Sequence, residues 1–515
     1  MDLFTGALIA VIAILLLYYF IWSRMTYFKD LGIPHEPPIP ILGNMAPLVF
    51  RQSSMTEYLQ RAYNLYPGHR YFGFYQFDTP VIVIRDPELI TSIAVKHFDQ
   101  FTDHRGFVDE ELDPLMGKNL FSLRGDRWRE MRKLLSPSFT SSKMKTMFTL
   151  MCDCAVNFAE YIAMESKKGK VYNLKDIFGR YTTDVIASCS FGITVDSMKS
   201  PNNEFYVFGK ETMNFMSGLS YKFLIGNNFP TISKLFGIRL FSNEARLYFR
   251  GIVADTVKMR EEKVSSVDNL LVPILNNCNY ATGLTIDEMT NQAFAFFLGG
   301  YDTTSSFLCF VVHQIGVMPE VQAKLRSEIK EVVRKTDGKP TYEAIRDMQY
   351  MDAVLSETLR LYPLVSFLDR VCVKELQLPP AASDLKPVTI KPGGNVWFLP
   401  FALQRDPAHF PDPLKFKPER FLNREVSQST YVPFGLGPRI CIGNRFALME
   451  SKVVLFHLLW RCDLEPSADT SIPMKLNKKT FILAAENGFW MNFPRNRRTS
   501  VCASHRFRWN IDEAR

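Results

Sequence analysis

A mainly helical body with a minor sheet, behind one membrane-spanning helix, is the fold class this 515-residue sequence predicts. Three observations carry that expectation. An uncharged apolar run stands at residues 3–22. Long stretches of helical period dominate the rest of the chain. Strand-like segments are few and short, and no repeat or low-complexity break divides the body.

The first element is LFTGALIAVIAILLLYYFIW, Leu3 to Trp22. At about 1.5 Å per residue it spans about 30 Å, the hydrocarbon thickness of a bilayer. Tyr18, Tyr19 and Trp22 mark its interfacial end, and Arg24 and Lys29 come after it, which predicts a single pass with the body cytosolic. A cleaved signal peptide is the competing reading. It lacks a basic leading region and a small-residue cleavage site. Residues 1–23 therefore read as anchor and residues 24–44 as a stiff hinge carrying Pro34, Pro37, Pro38 and Pro40. Residues 45–494 read as one large domain.

Within it, helical period runs over 126–136, 140–167, 320–335, 342–362 and 444–462. Thr285–Glu288 has capping-box spacing and opens an apolar run to Pro319, predicting a helix of about 33 residues. Strand-like stretches lie at 70–75, 80–84 and 395–399. The nine cysteines are odd in number, scattered, and form no C-x-x-C pair, which argues against a disulfide framework or a structural zinc. The net charge of +8 is mild, and residues 495–515 alone hold six Arg against Asp512 and Glu513, or +4. The body is thus near neutral, with no nucleic-acid footprint, and the tail reads as disordered.

The stretch richest in chemistry is Phe434-Gly-Leu-Gly-Pro-Arg-Ile-Cys-Ile-Gly443, leading straight into a helix. A cysteine before a helix start meets unpaired N–H groups and the positive end of the dipole, both favouring thiolate. Gly437 and Gly443 allow tight turns and close approach, Phe434 can cover the sulfur, and Arg439 can pair with a carboxylate. The pattern resembles the haem-thiolate signature F-x-x-G-x-R-x-C-x-G of the cytochrome P-450 family, matched at Phe434, Gly437, Arg439, Cys441 and Gly443. Glu357-Thr-Leu-Arg360 and Pro418-Glu-Arg-Phe421 resemble that family's structural Glu–Arg–Arg triad. Gly299-Gly-Tyr-Asp-Thr-Thr304 resembles its oxygen-activation motif, and Trp128-Arg-Glu-Met-Arg132 its W-x-x-x-R. The likeness covers residues 30 to about 494 and favours the animal microsomal clan.

The resemblance implies the cytochrome P-450 fold and haem b with Cys441 as its thiolate ligand. It places Trp128, Arg132 and Arg370 at the propionates, beside Arg439, Phe434 and Gly437 of the loop. By the same resemblance Asp302 and Thr303 deliver protons, while Gly299 and Gly300 leave room for dioxygen. His104 and Arg105 align too loosely to be assigned. Phe107, Phe296, Phe297, Val365, Phe367 and Ile482–Leu483 are implied pocket walls, each equally a core residue. The implied partners are an NADPH–haemoprotein reductase, docking near Arg127, Arg129 and Lys133, with cytochrome b5 as a further donor. A hydrophobic substrate (xenobiotic, steroid or fatty-acid-like) and the lipid of the endoplasmic reticulum complete the set. Two other functions stay open: a haem-thiolate isomerase or dehydratase acting on peroxides, and a non-enzymatic haem protein.

Overall fold

The computed structural model describes residues 25–496 except 107, 109, 167–168, 214–221, 223–224, 227–229, 262–283, 424 and 481. Before residue 25 it describes only residues 5, 8 and 12. The anchor as a span, Phe107 and all but the first two residues of the basic tail lie outside the described residues.

Two strands open the sheet that positions the site. Tyr71–Gln76 (β1) and Thr79–Ile84 (β2) form an antiparallel hairpin rich in aromatic and β-branched residues. Leu368–Val371 (β3) and Asn395–Phe398 (β4) complete the order β1-β2-β4-β3, with β4 parallel to β2 and antiparallel to β3. The register sets Arg370 opposite Val396. Beyond the edge of β3, the Val371 N–H donates to the Asp103 carbonyl (2.8 Å), which brings the 102–105 segment alongside.

The helices that matter for the site are Gly125–Leu135 (α1), Ser141–Glu165 (α2), Leu174–Ile186 (α3), Glu204–Met213 (α4) and Asn243–Glu261 (α5). Ile286–Val317 (α6), Pro319–Lys335 (α7), Gln349–Leu361 (α8) and Asn444–Arg461 (α9) come after them. The capping box at the start of α6 forms as predicted: the Glu288 N–H donates to Thr285 Oγ1, and the Thr285 N–H to Glu288 Oε2. From there α6 crosses the core, its middle packed against α3. Both α2 and α6 are long and apolar enough to cross a membrane, yet both contribute many buried residues to the core cluster, so they are core helices.

One expected helix is two. Residues 342–362 break into Tyr342–Arg346 and α8. The Glu328 carboxylate of α7 accepts from the Tyr350 and Met351 N–H groups (2.8 and 2.9 Å), capping a new start from a distance. No local residue signals that cap. Phe205, Phe249, Phe294 and Phe297 pack with ring centroids 5.1–6.3 Å apart, joining α4, α5 and α6. Phe297 is fully buried there, so it is core and not a pocket wall.

Candidate active site

The loop before α9 is held from three sides. Gln404 donates to the Leu359 and Arg360 carbonyls and accepts from the Val432 N–H (2.9 Å), tying the loop to the end of α8. Below it, Glu357 and Arg360 are wholly buried in a bidentate pair, Nε–Oε2 2.7 Å and Nη2–Oε1 2.8 Å, with Arg420 Nε 3.5 Å from Oε1. Arg360 also donates to the carbonyls of Gln404, Pro413 and Lys415. The triad is therefore a brace for the segment leading into the loop. The third side is Gly437. Its φ is +68°, and a Cβ there would lie 2.0 Å from the Ala94 carbonyl oxygen, so only glycine lets the loop sit on that backbone. Gly443 is different: its φ is −93° and a Cβ would meet Phe139 at an ordinary 3.9 Å, so neither its backbone conformation nor the described protein atoms around it demand glycine.

Cys441 donates its N–H to the Phe434 carbonyl (2.9 Å) and lies two residues ahead of the N-cap Gly443. Its side chain is exposed, although protein atoms crowd around it. Burial pushes its thiol above the ordinary range, more than the Gly443 N–H and the Arg132 charge pull it down. Desolvation by the protein thus acts against the pull toward thiolate that the Gly443 N–H and Arg132 exert. A cation at the sulfur would strengthen that pull.

Three guanidiniums gather beside this loop. Arg439 lies 4.0 Å over the Trp128 ring, donates to the Thr102 and Leu123 carbonyls (2.8 Å each), and is 3.6 Å from Asp103. Asp103 also accepts from the Gly125 N–H (2.8 Å), anchoring the start of α1. From α1, Trp128 is buried and Arg132 feels the Cys441 sulfur. Arg370 is 2% exposed, donates to the Asp369 carbonyl (2.7 Å), and has no partner for its Nε among the described residues. Asp369 is held by His104 Nδ1 (2.7 Å) and the Arg105 N–H (2.7 Å), and sits near pKa 2 despite burial because of His104, Arg105 and Arg370. Burial disfavours the charge on Arg132, Arg370 and Arg439, and Arg370 and Arg132 further disfavour that on Arg439. Guanidinium does not deprotonate, so three positive charges stand here against the two carboxylates of Asp103 and Asp369. Arg370 and Arg439, taken from distant motifs, thus meet in one cluster. Asp103 and Asp369 are not legible in the sequence. His104 stands out there, but the carboxylate it holds does not.

On α6, Thr303 donates its hydroxyl to the Gly299 carbonyl, the bond to the residue four back that bends helices. Among the described residues no atom comes within 4 Å of a Cβ built on Gly299, so Gly299 and Thr303 share an open face. Gly300 does not. A Cβ there would lie 2.3 Å from Ile186, and its glycine serves the crossing of α3 rather than leaving room for a gas. Asp302 is turned toward α3, its Oδ1 2.6 Å from Lys175 Nζ. Phe296 and Phe139 meet edge to face at 5.6 Å, and Phe367 stacks on Trp397 at 4.0 Å. A cleft of about 930 Å³ lies elsewhere, between α1, α5 and the first turns of α6, and none of the expected walls lines it.

Comparison with known proteins decides the lineage. A family model described as Cytochrome P450 matches residues 33–491. The Blattella germanica protein "Cytochrome P450 9e2" is 42% identical across 94% of this chain and 96% of its own length. The Drosophila melanogaster "Probable cytochrome P450 9f2" is 35% identical across 93% and 97%. The chain belongs to the cytochrome P450 family. A third relative, "Cytochrome P450 6k1" of Blattella germanica, is 34% identical across 93% and 94%. As a cytochrome P450 it is a haem-thiolate monooxygenase, an oxidoreductase whose haem iron takes a cysteine ligand. The residues present fit that group. The unpartnered Nε of Arg370 and the crowded guanidiniums suit the two carboxylates of a haem, and the raised thiol suits an iron that lowers it.

Proposed function

We propose that this P450 inserts one atom of O2 into a hydrophobic small molecule, using NADPH-derived electrons from a haemoprotein reductase at the endoplasmic reticulum membrane, with cytochrome b5 as a further donor. Haem supplies electron uptake and oxygen activation. Cys441 would ligate its iron, while Arg132, Arg370, Arg439 and the Trp128 edge would hold its propionate side. Phe434 and Gly437 shape the loop against it.

The observation that carries the oxidative reading is the joint retention of Cys441, the guanidinium cluster, and a Thr303 hydroxyl on the open face beside Gly299. A peroxide isomerase needs no proton supply, so this pair is better accounted for by a monooxygenase. Thr303 is proposed to pass a proton to the reacting oxygen, and Asp302 to replenish it. For the reductase, the exposed face of α1 offers Arg127, Arg129 and Lys133. Arg129 is already engaged by Asp99 and Asp126 (2.9 Å each), so docking there exchanges partners. The uncharged run at 3–22 and the proline-rich hinge after it support membrane attachment with the body cytosolic. The test is reductase- and NADPH-dependent incorporation of labelled O2 into product across a panel of apolar substrates. Consumption of NADPH without incorporation on any substrate refutes the reading.

A further inference from the structure

The cleft of about 930 Å³ between α1, α5 and the first turns of α6 plays no part in the chemistry above. Its size falls within the about 300–1,000 Å³ that small-molecule sites occupy. From α1 it is lined by Arg127, Glu130, Met131 and Leu134, whereas Trp128 and Arg132, on another face of that helix, belong to the cluster beside the cysteine loop. Leu115, Leu123, Met131, Leu134, Pro137 and Leu284 give the cleft an apolar lining. Its charged residues are mostly basic: Lys118, Arg127, Lys133, Arg246 and Arg250 against Glu130, Asp287 and Glu288. Arg250 is taken by Asp287 (2.7 Å), Arg127 by Glu110 (3.4 Å), and Glu288 closes the α6 capping box. Among the described residues, the side chains of Lys118, Lys133 and Arg246 have no ion pair or hydrogen bond, and only Glu130 is left to oppose them. On the α6 wall, Thr290 donates to the Ile286 carbonyl (2.7 Å), and Gln292 bridges the Lys118 carbonyl (2.9 Å) and the Leu120 N–H (2.8 Å). Asn291 stands between them, 4% exposed, and its carboxamide has no partner among the described residues. A buried amide without a partner is costly, and this one lines the cleft, where a ligand oxygen would satisfy it.

We propose that this cleft is a second ligand site, separate from the haem site, for an amphipathic carboxylate. The apolar lining takes the hydrocarbon body. Lys118, Lys133 and Arg246 take the carboxylate charge, and the Asn291 amide donates to a ligand oxygen. The matching alcohol forgoes the charge-assisted bonds, so the cleft selects the acid over it. An amine of the same length meets like charge and is rejected. No bond is made or broken at this site, and occupancy needs neither reduction of the iron nor turnover.

The experiment uses the full-length, haem-loaded chain in phospholipid nanodiscs, with a saturating azole on the iron so that the haem site is closed to the probe. The probe is dodecanoic acid carrying a diazirine at its tail, with the matching alcohol as control. Labelled residues are mapped by mass spectrometry. Saturable labelling of Leu115, Met131 and Leu134 that persists with the azole is expected. The alcohol should label them about tenfold more weakly, for want of charge-assisted bonds. Arg246→Glu should raise the half-saturating concentration of the acid about tenfold, and by less at high salt, since Arg246 is exposed and screened. Asn291→Asp keeps the size but sets a negative charge where the donor stood, and should lose saturable labelling. The thiolate-type Soret band of the reduced carbon-monoxide complex reports that each variant folds. Three results overturn the proposal: no saturable labelling, labelling abolished by the azole, or equal labelling by acid and alcohol. Acid labelling that Arg246→Glu leaves unchanged overturns it as well. Should Asn291→Asp not fold, Asn291→Leu removes the donors without adding charge, and an unchanged acid-to-alcohol ratio in that variant counts against the site equally.

Discussion

Replacing Glu357 by Ala probes the brace beneath the cysteine loop. The carboxylate is 0% exposed and serves Arg360 twice, the Lys417 N–H at 2.8 Å, and Arg420 at 3.5 Å. Breaking a buried pair from one side costs about 3–5 kcal/mol, because the partner cation stays desolvated. Stranding the Lys417 N–H adds about 1–3 kcal/mol. The result, about 4–8 kcal/mol, is comparable to the about 5–15 kcal/mol by which a domain is stable. Glu357→Ala is therefore expected to yield little folded protein, and what folds should lose the thiolate-ligated haem spectrum at far lower urea. Glu357→Gln keeps the shape without the charge and should fall between. The damage should show first at the cysteine, because Arg360 holds the Gln404, Pro413 and Lys415 carbonyls and Gln404 holds Val432. A Glu357→Ala protein whose spectrum collapses at the wild-type urea concentration would refute the brace.

Gly437→Ala forces a side chain into a left-handed backbone and against the Ala94 carbonyl, a loss of about 3 kcal/mol that should appear as poor haem retention at normal secondary-structure content by circular dichroism. Cys441→Ala should abolish the thiolate-type Soret band of the reduced carbon-monoxide complex, and a band that persists rejects Cys441 as ligand. Thr303→Ala should retain that band yet release more peroxide per NADPH, measured by peroxide assay; unchanged coupling removes Thr303 from proton supply. Asp184 is 7% exposed, and burial raises it to about 7 against the bonds from Ser197. A raised carboxyl adds stability fully present below pH 3.8 and lost as pH rises through about 7. Asp184→Asn should therefore be the more stable protein above pH 7, by up to about 4 kcal/mol, with the gap closing toward pH 4 in urea titrations.

Helix ends are legible in the sequence where the cap is local. Thr285 and Glu288 predict the start of α6 because a capping box needs four consecutive residues. The break at 347–348 is not legible, because Glu328 caps it from another helix. The same division runs through the site. Cys441, Arg439 and Gly437 are readable as one motif, since a loop before a helix brings its own residues together. Lys175 and Asp103 are not, because each acquires meaning only from a partner more than a hundred residues away. The two glycines of the 299–304 motif look alike in sequence. One faces open space and the other the side chain of Ile186, and which is which depends on the crossing of α3.

By itself, then, the sequence determined the family, the mainly helical class, the cysteine and the order of its supporting motifs, all carried by short-range spacing. Only the tertiary structure decided the charge balance around them. It crowded protein atoms around the exposed Cys441 thiol, packed Arg132, Arg370 and Arg439 against too few carboxylates, and turned Asp302 away from Thr303 toward Lys175. The reason is physical: desolvation and Coulomb energy depend on which distant segments share a low-dielectric space, and spacing along a chain does not record that.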